Sequence, residues 1–194
     1  MTARLFIGVP IKSIIIEHEV KRWRKESILN NNLLNWVEPE NWHMTLFFFG
    51  NQNLSAIGLL QQILEESFGT VQPFSASANL VGVFPSKRNP KVLLLGIDNL
   101  QLLLPGYFRM AELLKQNGFA FNNKPLTAHL TVARIKRVVN NHSFESFLTQ
   151  NRQSSFGSFA ISRVVLYKSI LNLSGPVYKP VYVKLLGDGQ KETI

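Results

Sequence analysis

Cysteine is absent from this 194-residue chain, so neither a disulfide framework nor a thiolate zinc site can be built from it. That lack is consistent with a cytoplasmic setting. Acidic residues are scarce, 12 against 21 lysines and arginines, which leaves a formal net charge of +9. The imbalance favours polyanionic partners such as nucleic acid, with plain solubility as the bland alternative. No single basic run carries the charge. Local groups stand at Lys21-Arg22-Trp23-Arg24-Lys25, Lys87-Arg88-Asn89-Pro90-Lys91 and Lys136-Arg137. The first reads as a solvated helix face, whereas the second lies in a loop from Phe84 to Pro90 and is better placed to touch a ligand. Before Pro10 the apolar run is too short for a leader or a membrane span, so neither is expected.

Histidine is also sparse, with four in the chain, yet two of them share one grammar. His43-Met44-Thr45-Leu46 and His129-Leu130-Thr131-Val132 each place a threonine two residues after a histidine in an apolar run. In a strand, residues i and i+2 face the same way, so each segment presents an imidazole beside a hydroxyl. Two imidazoles flanked by hydroxyl donors suit acid–base chemistry on a phosphate, one ring taking a proton near neutral pH while the other gives one. A lone strand histidine would more often be a satisfied core residue. The repeat of the threonine argues for function here. Metal binding fits poorly, because neither motif has an acidic or thiol ligand nearby.

Periodicity organises the rest. A strand is predicted over Leu5–Val9, then a helix with Ile16, Val20 and Trp23 on one stripe. After a turn at Asn30-Asn31-Asn32 comes the strand His43–Phe49, closed by Gly50. A second helix carries Leu54, Ile57, Leu60 and Leu64 on one side. Strands are predicted over Phe74–Val83 and Val92–Ile97, and a helix from Pro105 to Gly118. The strand His129–Ile135 precedes a short helix capped by Ser143, with Phe144, Phe147 and Leu148 inward. Ser158–Tyr167 and Val177–Leu186 read as two antiparallel strands joined through Ser174-Gly175-Pro176. Leu5 to His43 spans 38 residues and Val92 to His129 spans 37, each interval reading strand, helix, motif strand. Two similar strand–helix–strand halves facing one cleft are therefore expected.

Other candidates rank lower. His18, near Ile14 and Ile15, reads as structural, and His142 as part of a surface turn. Strict alternation turns Arg134 away from His129 unless a bulge intervenes. Phe48 is predicted to lie off the His43 face, within a core stripe Phe47-Phe48-Phe49.

Arg4-Leu5-Phe6-Ile7-Gly8, Asn41-Trp42-His43-Met44-Thr45-Leu46 and Phe48-Phe49-Gly50 resemble one half of a 2H phosphoesterase. Phe84-Pro85, Pro90-Lys91-Val92-Leu93, His129-Leu130-Thr131-Val132-Ala133-Arg134 and Val165-Leu166-Tyr167-Lys168-Ser169 resemble the other. The branch they look most like is the RNA 2′,3′-cyclic phosphodiesterases, also called 2′-5′ RNA ligases and LigT-like. The similarity runs from Arg4 to Leu186, and the paired motifs at this separation make it specific. Two departures stand out: Ala128 where many relatives have proline, and Leu94 where many have tryptophan.

The resemblance implies an α+β, bilobal fold of two pseudo-symmetric halves, with a concave, mainly antiparallel sheet around a central cleft. One domain over residues 1–194 is expected, its core at 4–186 and a loose tail at 187–194. The resemblance makes His43 the proton donor and His129 the proton acceptor, with Thr45, Thr131 and Arg134 binding the substrate. It implies RNA ends or nucleotides carrying a 2′,3′-cyclic phosphate as partner, hydrolysis to a 2′-phosphomonoester, no cofactor, no metal and a cytoplasmic monomer. Ligation at the same site is expected as a side activity, because water favours hydrolysis. The competing readings are a non-catalytic RNA-end-binding module and a 2H enzyme for another cyclic or 2′-5′-linked nucleotide.

Overall fold

Leu5, Ile7 and Val9 are fully buried, and Phe6 between them is 3% exposed, so the first strand, β1 (Thr2–Pro10), is covered on both faces. It belongs to a computed structural model that describes residues 1–187 except 27–28, 30–31, 122–124 and 173–174. The expected turn at Asn30 and Asn31, the loop residue Ser174 and the tail after Gly187 lie outside those residues.

A Ser13 cap, its hydroxyl accepting from the Ile16 amide, opens helix α1 (Ile14–Lys25). There follow β2 (Leu33–Trp36), a single 3-10 turn (Pro39–Asn41) and the motif strand β3 (His43–Asn53). Helix α2 (Ala56–Phe68), β4 (Phe74–Phe84), β5 (Val92–Asp98) and helix α3 (Leu104–Gln116) lead to the second motif strand, β6 (His129–Arg137). Helix α4 (Asn141–Gln150), β7 (Ser155–Ile161), β8 (Arg163–Asn172) and β9 (Gly175–Leu185) complete the described elements.

Two antiparallel sheets result, ordered β3-β1-β8-β9 and β2-β6-β5-β4-β7. In each, the motif strand pairs with the strand that precedes a helix: β3 with β1, and β6 with β5. The helices cross over. α1, between β1 and β3 in sequence, packs on the second sheet's side, where Trp23 meets Phe147 of α4 and Phe156 of β7 edge-on at 5.3 and 5.4 Å. α3, between β5 and β6, packs against α2, and its Tyr107 stacks on Phe47 of β3 at 4.8 Å. Gly106 makes that α2–α3 contact possible, since a Cβ there would stand 2.6 Å from the Phe68 ring. One contiguous apolar cluster consequently reaches through both sheets.

Several expectations are corrected. Ser158–Tyr167 is not one strand: the chain changes sheets at Ser162, with β7 on the edge beside β4 and β8 between β1 and β9. Val164, Val165 and Leu166 are buried in succession, the pattern of a central strand rather than an alternating one. Helix α4 is capped by Asn140, whose side chain accepts from the Ser143 amide at 3.0 Å, so Ser143 is three residues inside the cap. Leu54 precedes α2 and is 36% exposed; Ile63 and Phe68 take its place on the buried stripe. β2 had no sequence expectation, yet it edges the second sheet beside β6.

Candidate functional site

Both motif strands carry a register break at the same place. Along β3, Gly8 faces Thr45 and Ile7 faces Phe47, leaving Leu46 unpaired. Along β6, Leu94 faces Thr131 and Leu93 faces Ala133, leaving Val132 unpaired. Each bulge sits three residues after the histidine. It puts two successive residues on the core side and reverses the alternation beyond. Leu46 and Phe47 are buried together, as are Val132 and Ala133. The next residues, Phe48 and Arg134, therefore return to the face of His43 and His129.

Arg134 thus reaches the site, and Phe48, expected off that face, is on it. A cavity is lined by Arg4, Phe6, His43, Thr45, Phe48, Thr131, Arg134 and Tyr178. A second cavity, lined by Phe84, Tyr107, Leu126, Thr127 and His129, shares Thr45 and Phe48 with the first. The two histidines therefore look into adjoining halves of one cleft, with Thr45 at the boundary.

The imidazoles are held alike. His43 Nδ1 is 2.7 Å from the Asn41 carbonyl, and His129 Nδ1 is 2.6 Å from the Thr127 carbonyl, each two residues upstream. A carbonyl only accepts, so each Nδ1 bears the proton and donates it. Nε2 is then the ring nitrogen that does not carry that proton. The rings are further fixed by aromatic neighbours. His43 lies 4.9 Å from Phe6 and meets Tyr178 edge-on at 4.9 Å, while His129 meets Phe84 edge-on at 5.1 Å.

Burial under those rings pushes the His43 pKa below its ordinary value. The Asn41 carbonyl pulls it back up, and positive charge on His129 and Arg134 pushes it further down. Arg134 is thus close enough to His43 to act on its charge. The first cavity has two arginines, Arg4 and Arg134, and no carboxylate among its described lining residues. The Arg4 guanidinium sits 4.9 Å over the Phe48 ring. Such a surface favours an anion beside the His43 imidazole and two hydroxyls, with His129 in the adjoining half of the cleft. Gly8 explains how closely β1 passes under His43. A Cβ there would stand 2.9 Å from the Met44 carbonyl and 3.4 Å from His43 Cδ2.

The other candidates fall elsewhere. His18 is exposed, with Ile14 and Ile15 beside it also exposed, so it is not a core residue. His142 is exposed in the first turn of α4. Lys87 and Arg88 are exposed and outside the cleft lining, and the loop's contribution is Phe84. Trp23 in the first basic group is buried, while Arg22 pairs with Glu19 and Glu26 and Arg24 with Glu38. Arg4, Phe6 and Tyr178 had no sequence expectation as site residues. Arg4 and Phe6 share a strand face, but Tyr178 arrives from β9, 135 residues from His43, and nothing local signals it.

Comparison with known proteins gives a consistent result. Residues 16–94 match the family described as LigT like Phosphoesterase. An RNA 2′,3′-cyclic phosphodiesterase of Archaeoglobus fulgidus is 34% identical over 180 residues, covering 93% of this chain and 98% of that protein. Another, of Aquifex aeolicus, is 31% identical over 190 residues, covering 95% and 97%. Among solved structures, a Thermus thermophilus protein superposes with a TM-score of 0.75 at 23% identity, over 96% of this chain and 100% of that one. Escherichia coli LigT complexed with 3′-AMP gives 0.73 at 20% identity, over 96% and 99%. No described helix is long and apolar enough to cross a membrane.

Proposed function

Since the chain belongs to the LigT-like phosphoesterase family, with RNA 2′,3′-cyclic phosphodiesterases as relatives over nearly its whole length, we propose that it hydrolyses the terminal 2′,3′-cyclic phosphate of RNA. The product is a 2′-phosphomonoester. One observation supports the reading above the rest: two histidines on matched bulged strands, each with Nδ1 tied to the carbonyl two residues back, flank a cleft that holds Thr45, Thr131 and Arg134.

The phosphate sits between the two threonines, their hydroxyls and the Arg134 guanidinium donating to the oxygens on which charge builds up. Neutral His129 takes a proton from water through Nε2 as the water oxygen attacks phosphorus. The bond from phosphorus to the 3′ oxygen breaks, and protonated His43 gives its Nε2 proton to that oxygen. His129 ends protonated and His43 neutral, and exchange with solvent resets both. A lowered pKa makes His43 a stronger acid once charged, and the bound phosphate anion restores the proton that burial disfavours. A 5′-hydroxyl in place of water would give a 2′-5′ linkage by the same displacement, so ligation is expected as a minor reaction.

Both proton transfers are supplied by side chains, so turnover is expected to persist in EDTA. RNA ending in a 2′,3′-cyclic phosphate, incubated with chelator and followed by phosphorus NMR, should yield a 2′-phosphate. Activity lost in EDTA and restored by zinc or magnesium would overturn the two-histidine mechanism, and no turnover in either condition would overturn the activity.

A further inference from the structure

We propose that a groove leaving the catalytic cavity along β2 and β6 holds the RNA backbone immediately 5′ to the terminal phosphate, with Lys136 binding a phosphodiester there. The proposal rests on RNA being the substrate. The groove has a volume of about 540 Å³ and is continuous with the catalytic cavity, since Val37, Asn41, Arg134 and Tyr178 line both. Asn35, Trp36 and Lys136 line it beyond the site.

Its charge suits a polyanion. Glu38 is the one carboxylate among its described lining residues, and Arg24 holds it through contacts of 3.1 and 3.2 Å. Arg24 also donates to the Val37 carbonyl at 3.3 Å and lies 5.6 Å over the Trp36 ring, so it is a fixed part of the wall. Arg134 and Lys136 carry no ion pair among the described residues. Among the described residues no salt link competes with a phosphate for them, and the groove's Glu38 is engaged by Arg24.

Position supplies direction. His129 and Thr131 stand on β6 before the bulge, and Arg134 and Lys136 line the groove after it. Residues two apart on a strand are separated by roughly 6.6 Å, the scale of a single nucleotide step. A terminal phosphate held by the two threonines and Arg134 leaves Lys136 one step further along the path. Asn35, which faces Arg134 across the β2–β6 pairing, adds an amide, and Tyr178 and Trp36 give the walls aromatic edges. A cationic track with aromatic walls is how sequence-tolerant single-strand sites are made.

The test compares affinity by length. A labelled RNA tetranucleotide with a terminal 2′-phosphate and a mononucleotide 2′-phosphate are titrated against wild type, Lys136→Ala, Lys136→Glu, Lys136→Arg and Arg152→Ala. Arg152 is exposed between α4 and β7, at the sheet edge opposite β2, and controls for bulk charge. The tetranucleotide is expected to bind about tenfold more tightly than the mononucleotide. Lys136→Glu should abolish most of that advantage, whereas Lys136→Arg and Arg152→Ala keep it. Lys136→Ala should lower the slope of log affinity against log salt by about 0.7, one single-strand phosphate contact. Equal affinity for both ligands in the wild type, or an equal loss in Arg152→Ala, would overturn the groove. Turnover of the cyclic phosphate, measured separately, distinguishes the two proposals: length-dependent binding without turnover keeps the groove and rejects the reaction.

Discussion

At the scale of single residues, the two histidines are equivalent in tether and different in environment. His43→Ala and His129→Ala should each lower turnover by about 10²–10⁴-fold, as expected for loss of one acid or base. Melting curves taken alongside separate a lost proton carrier from the lost packing of His43 on Phe6 and Tyr178. The lowered pKa of His43 has two consequences. The alkaline limb of kcat/KM, which reports the free protein, should fall below the usual histidine value of about 6.5. The limb of kcat should lie higher, because the bound phosphate raises the pKa. Apparent values belong to the pair, and superimposable limbs in both profiles would refute the reasoning. For stability the sign is opposite to that of a paired histidine. The unfolded chain takes the proton first, so stability drops as pH falls below about 6.5 and the folded value is approached. His43→Asn should flatten that decline in denaturant titrations. Gly8→Ala tests the close passage under His43: a Cβ 2.9 Å from the Met44 carbonyl forces β1 and β3 apart. A cost of about 1–3 kcal/mol in denaturation and a loss of up to about 10²-fold in turnover are expected.

At the scale of elements, the repeated bulge is the decisive local feature. Reading β6 by strict alternation points Arg134 away from the cleft, and reading β3 the same way hides Phe48; Val132 and Leu46 reverse both. Nothing about Leu46 or Val132 as residue types announces a bulge, since β-branched and γ-branched residues sit as well in a regular ladder. The helices carry a second lesson. α1 belongs by sequence to the half containing His43, yet Trp23 is buried against α4 and β7. Trp23→Ala should cost about 3–5 kcal/mol. Amide exchange should quicken in β7 and α4 more than in β1. Uniform quickening across both sheets would argue that α1 is not their specific cover.

At the scale of the whole molecule, 21 basic and 12 acidic residues give an excess that the fold distributes unevenly. Among the described residues lining the first cavity, Arg4 and Arg134 stand without a carboxylate, whereas on α1 Arg22 is shared between Glu19 and Glu26. RNA affinity should therefore fall as salt rises, with a modest slope set by a few phosphates rather than by all nine net charges. Titration of a short oligonucleotide from low to high salt checks this. A flat response would remove the electrostatic contribution, and a very steep one would spread binding far beyond the cleft.

By itself the sequence determined most of what is periodic or chemically distinctive. The strands around His43 and His129, the helix bounded by Pro105 and Gly118, the α1 stripe and the two His-x-Thr pairs are local patterns, written in residues a few positions apart. The resemblance to 2H phosphoesterases followed from those pairs and their spacing. Tertiary structure alone decided the rest, because the forces involved act between residues distant in the chain. The register of β3 on β1 and of β6 on β5 places the bulges. Burial between β1 and β9 assigns β8 to a different sheet from β7. The meeting of β2 with β6 opens a groove, and Tyr178 reaches His43 from the far end of the chain. Strand pairing and ring packing carry no signature in either partner read singly, and so the shape of the cleft emerged only when both partners were in place.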